Sequence, residues 1–80
     1  MTGELVPILY VNTILGRIDN AAGKEKDAID DYAELENDLR AKGLNAEADV
    51  VHEIRDDEID HLQKFEAMRL RLLSNPLAQR

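Results

Sequence analysis

Apolar residues recur along this chain at alternating steps of three and four. The first run reads Ile8, Val11, Leu15, Ile18, Ala22, Glu25, Ile29, Tyr32, Glu36 and Leu39. The second reads Val51, Ile54, Glu58, His61, Phe65, Met68 and Leu72. This step is the a/d seam of a helix that packs on other helices. It predicts two long helices, helix 1 over about 7–42 and helix 2 over about 46–73, with a tail over 74–80. Pro7 suits a first helical turn, where its missing N–H is not needed. Gly43 suits the position just past a helix end, and Arg40 and Lys42 suit the negative end of the helix dipole. Asn45 reads as the N-cap of helix 2, with Glu47 in its first turn. Ser74-Asn75-Pro76 stops that helix. Gly16 and Gly23 each weaken helix 1 by about 1 kcal/mol relative to alanine. The unbroken register across them still favours one continuous helix.

A connection of about three residues makes the two helices an antiparallel hairpin. The hairpin places Glu25 and Glu58 in one layer near its middle. Glu58 and His61 are three residues apart and project from the same face. Two carboxylates and an imidazole thus stand where the pattern asks for leucine, and burying them unpaired is costly. A lone hairpin also leaves half its seam uncovered, and two helices rarely bury enough surface to fold stably. Pairing with a second copy solves both problems. The expected architecture is all-α: an antiparallel two-helix hairpin that dimerises into a four-helix bundle. An inverted partner brings the central layer against its own copy.

The composition narrows the chemistry. Eighty residues make one small domain. With no cysteine there is no disulfide and no thiolate or iron–sulfur centre, and a reducing cytoplasm fits. A net charge of −7 argues against nucleic acid and against an anionic membrane surface. The apolar stretch Leu5–Leu15 lacks a basic leader and carries Pro7 and Asn12, so it reads as mature helix. No run approaches the roughly 18 apolar residues that span a bilayer.

Two such hairpins would offer four glutamates and two histidines around one axis, a set that holds two metal ions. Oxygen-rich ligands favour iron or manganese over a closed structural zinc site. On Glu25-x-x-Ala28-x-x-x-Tyr32 in the first helix and Asp57-Glu58-x-x-His61 in the second, the chain resembles the ferritin-like superfamily, in its rubrerythrin and encapsulated-ferritin branch. The likeness covers about half the chain, from Glu25 to Phe65. It implies a ferritin-like bundle with Glu25, Glu58 and His61 as ligands to two iron ions per dimer, manganese or zinc being alternatives. It also implies that Tyr32 hydrogen-bonds a ligand glutamate and that Asp57 orients a partner histidine. The chain departs from rubrerythrins in carrying one half-bundle and no cysteine-rich electron-transfer domain. Residues 73–80 do not look like the targeting peptide of encapsulated ferritins.

The leading expectation is a di-iron protein that oxidises Fe(II) with oxygen or peroxide, its partner being itself and its redox partner unknown. Without the cysteine domain, ferroxidase chemistry is favoured over peroxidase chemistry. The rival is a structural or adaptor hairpin that oligomerises without catalysis, and a third reading is a structural manganese or zinc site. His52 reads as surface. Glu36 and Glu47 read as seam residues at a bundle end that water reaches, with an ion-uptake site as the lesser alternative. The acidic run Asp27, Asp30, Asp31, Glu34 and Asp38 reads as a solvated face.

Overall fold

The computed structural model describes residues 8–74, with 8 and 9 described by their helical backbone alone. Two helices follow one another, α1 (Ile8–Ala41) and α2 (Asn45–Ser74), packed as an antiparallel hairpin. Helix α1 runs unbroken through Gly16, Asn20 and Gly23. The hydrophobic register outweighs the weak propensity of those residues, because packing of an apolar face supplies most helical stability in proteins. Pro7 and the stop at Asn75-Pro76 lie outside the described residues.

The turn between the helices follows from its sequence. Gly43 has φ of +73°, a left-handed conformation that a side chain resists. The Leu44 N–H donates to the Leu39 carbonyl at 2.9 Å and the Gly43 N–H to the Arg40 carbonyl at 3.0 Å. These two bonds make the Schellman closure of a helix end. Ala48 N–H then donates to the Leu44 carbonyl at 3.0 Å. The cap of α2 is therefore Leu44, one residue before the expected Asn45, because the C-terminal closure of α1 has already placed the Leu44 carbonyl at the start of α2.

On α1 the expected seam is the packed face: Val11, Ile18 and Glu36 are buried, and Leu15, Ala22, Glu25, Ile29, Tyr32 and Leu39 are half-buried. On α2 the seam is rotated from the expected one. Ala48 and Val51 are buried, and Arg55, Glu58, Leu62, Phe65 and Leu72 are half-buried. Ile54 and Met68 stay 39% and 38% exposed, and the His61 side chain 51%. Both rows step by three and four and share Val51, Glu58, Phe65 and Leu72. Arg55 and Leu62 thus replace Ile54 and His61 toward α1, and the more apolar row flanks the contact.

The hairpin measures 62 × 16 × 14 Å, so it is one helix deep. Its buried apolar core among the described residues is Val11, Ile18, Ala48 and Val51, with no large side chain fully enclosed. No described helix is long and apolar enough to cross a membrane.

The glycines separate two effects. A Cβ at Gly16 or Gly23 would meet nothing within 4 Å. Gly16→Ala and Gly23→Ala are each expected to stabilise the fold by about 0.5–1 kcal/mol. Gly43→Ala is expected to destabilise it by about 1 kcal/mol through its left-handed backbone. Melting followed by circular dichroism checks the three signs.

Candidate metal centre

Midway along the hairpin, Glu25 of α1 faces Glu58 and His61 of α2. One donor atom from each of the three lies within 4.8 Å of the others. Nδ1 of His61 is 3.7 Å from Glu58 Oε2 and 3.9 Å from Glu25 Oε2. Neither separation is a hydrogen bond. Ligands held at about 2.0–2.2 Å from a common ion are themselves no more than about 4 Å apart, so the spacing is close to that of a coordination shell. The side chains of Glu25 and Glu58 are mostly covered, at 22% and 21% exposure. Glu25 Oε2 is buried and has no hydrogen-bond partner. Among the described residues, neither carboxylate has an Arg or Lys nitrogen within 4 Å of it.

The local fold explains this convergence. Glu58 and His61, one turn apart on α2, project side by side. The antiparallel register set by the Gly43 turn brings Glu25 opposite both. Nδ1 is the ring nitrogen nearest the two carboxylates. Tyr32 is half-buried on the Glu25 stripe, and its hydroxyl makes no hydrogen bond to a described residue of the same chain. Asp57 is exposed, one turn before His61, and makes no hydrogen bond or ion pair with it. The three candidate ligands are thus brought together, whereas the roles expected of Tyr32 and Asp57 have no counterpart within one chain.

A second polar cluster lies nearer the turn, where the seam was expected to open to water. Glu36 is 8% exposed. Arg40 Nε donates to its Oε2 at 3.0 Å, and His52 Nδ1 lies 3.1 Å from its Oε1. Arg55 Nη1 stands 3.6 Å from the same Oε1. Arg40 also donates to Asp49 Oδ1 at 3.0 Å and so ties α1 to α2. The two bonds from Arg40 hold its guanidinium more firmly charged than usual. His52, expected on the surface, is half-buried and links Glu36 to Asp56, whose Oδ2 is 3.5 Å from Nε2. Glu47 is exposed, as a bundle-end residue should be. The signals available for this cluster were the four-residue spacings of Glu36 with Arg40 and His52 with Asp56. They gave no hint that Arg55 would turn inward.

Burial pushes the Glu36 carboxyl up, but its hydrogen bonds to His52 and Arg40 and the nearby Arg55 charge outweigh this and hold it below the ordinary 4.5. The chain matches no family model, no curated protein and no solved structure.

A depressed folded-state value means that the Glu36 contribution is complete above 4.5 and is lost as pH falls through the lower value. Acidification from about pH 6 to about pH 3 should therefore lower the melting temperature of wild type more than that of Glu36→Gln. Parallel thermal melts across that range test this, and equal slopes would count against it.

Proposed function

We propose that this chain is a ferritin-like di-metal carboxylate protein that binds two iron ions at a site shared between two copies and oxidises Fe(II) with oxygen or peroxide. The observation that carries the reading is the contrast between two seam carboxylates of the same hairpin. Glu36 is buried among two arginines and a histidine. Glu25, with an orphaned buried oxygen, has only the His61 imidazole beside it and a second carboxylate in the same group. A buried carboxylate needs compensation. At Glu25 and Glu58 a bound cation would supply it, and an Oε2 that lacks a donor is free to act as a ligand.

The donor set suits the metal. Two carboxylates and one imidazole per chain favour iron or manganese. Two Fe(II) ions supply one electron each, so dioxygen with two protons becomes peroxide, or peroxide with two protons becomes two waters. The chain's own part is to hold the donors, with His61 presenting Nδ1 and the carboxylates arriving from both helices. By the same family likeness, Tyr32 would hydrogen-bond a ligand glutamate and Asp57 would orient a partner histidine.

A structural hairpin without catalysis is favoured by one observation. Glu36 demonstrates that this fold can satisfy a polar seam residue with protein partners alone. Under that reading, chelators change neither the melting temperature nor the oligomeric state.

Anaerobic Fe(II) should bind at one ion per chain. Mn(II) at a hundredfold over its Kd should stabilise the fold by about 2.7 kcal/mol, a rise on the order of 10 °C for a chain of this size. His61→Ala should abolish the rise. On admitting air, wild type should oxidise Fe(II) faster than Glu58→Ala, as followed by ferric absorbance. Equal rates would sink the ferroxidase reading.

A further inference from the structure

A shallow groove of about 170 Å³ runs beside the candidate centre and is lined by Glu25, His61, Lys64, Phe65 and Met68. Phe65 and Met68 make its apolar wall. Lys64 is the lining residue with an ammonium, and it stands on the same side of the hairpin as two of the three donors. Lys26, next to Glu25 in the chain, belongs to the other side, where it lines the opposite groove with Asp19, Glu66 and Arg69.

Lys64 is paired, but loosely. Its Nζ is 2.9 Å from Oδ2 of Asp60, one turn earlier on α2. An acid four residues before a lysine is the favourable order on a helix. The pair is nevertheless open to water, with the Lys64 side chain 72% and the Asp60 side chain 57% exposed, and ion pairs so exposed are weakly held. Helical side chains lean toward the N-terminal end of their helix. The stem of Lys64 thus runs back over the turn that carries both Asp60 and His61. That stem is a flexible four-carbon chain, and two acids compete for the charge at its end. One is Asp60. The other, across the groove, is Glu25, whose Oε2 is buried and has no hydrogen-bond partner. Opposite charges attract more strongly away from bulk water.

We infer that Lys64 is an internal rival of the cation at Glu25, Glu58 and His61, and that Asp60 tunes metal affinity by holding Lys64 away from them. The inference rests on the metal-site reading above and adds the pair that sets how tightly the site binds. With Lys64 on Asp60, the three donors are open to an entering divalent ion. With Lys64 swung across to Glu25, a positive charge already occupies them and the ion must displace it. The apparent affinity is then reduced by the fraction of chains in which the donors are free. Lys64 and Asp60 are positioning residues in this scheme, since neither gives a donor atom to the ion.

Mn(II) titration of four chains tests this: wild type, Lys64→Met, Asp60→Asn and the double variant. Both side chains are exposed and methionine is as good a helix former as lysine, so all four should fold, as circular dichroism checks. Lys64→Met should bind Mn(II) more tightly by about threefold or more, and Asp60→Asn more weakly by about the same factor. Charges acting only through the general field would give the same two signs, so the double variant decides. If Asp60 works through Lys64, adding Asp60→Asn to Lys64→Met should change the affinity by less than about twofold. The titrations are run at about 0.15 M salt, where exposed charges more than about 8 Å apart are largely screened. An Asp60→Asn effect of equal size in both backgrounds would overturn the inference, as would equal affinity of wild type and Lys64→Met. His61→Ala separates this from the site itself. Binding that survives His61→Ala lies elsewhere and removes the metal-site reading together with the inference. Binding lost in His61→Ala but indifferent to Lys64→Met keeps the site and overturns the inference alone.

Discussion

A layer one helix deep cannot cover both sides of its own seam. Each helix here touches one neighbour along its length and leaves its other flank to water, so no large side chain among the described residues is fully enclosed. What holds the hairpin is a narrow apolar contact, a Gly43 turn that aligns the helices and a few polar ties. The exposed apolar stripe on one side follows from this shortage of depth.

The polar ties and the candidate site answer the same electrostatic problem in different ways. A carboxylate withdrawn from water must find positive charge or donors. Near the turn, Glu36 finds them in Arg40, His52 and Arg55, which come from both helices and so pin them together. Midway along, Glu25 and Glu58 find only His61 among the described residues. The Glu36 carboxylate has both oxygens engaged and so has little capacity left for a ligand, although the buried Nε of Arg55 beside it has no hydrogen-bond partner. The unsatisfied group midway along gives up stability in the isolated chain and keeps its donor atoms available. Functional sites tend to be the places where local consistency is broken.

The seam of α1 could be read directly from the chain, because its apolar residues form a single row at the right period. The phase of α2 could not. Ile54 and Met68 make their row more apolar than the one containing Arg55 and Arg69, so hydrophobicity alone selected a row that, within one chain, flanks the contact with α1. The arginines turn toward α1 because their stems can pack while their heads reach Glu36 and Asp19, the latter paired with Arg69 at 3.0 Å. That choice depends on charges far away in sequence, fifty residues for Arg69 and Asp19, which a periodicity does not contain. Glu25, Glu58 and His61 were legible because Glu58 belongs to both rows, and because His61 lies beside the seam, near enough to reach Glu25.

Period, turn chemistry and spacing are local properties. From them the chain by itself determined two helices, the left-handed glycine between them and the three residues that meet in the middle. Tertiary structure decided what depends on distant partners: the rotation of α2, the burial of Glu36, the inward turn of Arg55 and the displacement of His61 and its heptad neighbours to an open flank. The physical reason is that a helix fixes which of its residues share a face, whereas only the opposing helix, with its own charges and volumes, settles which face is turned inward.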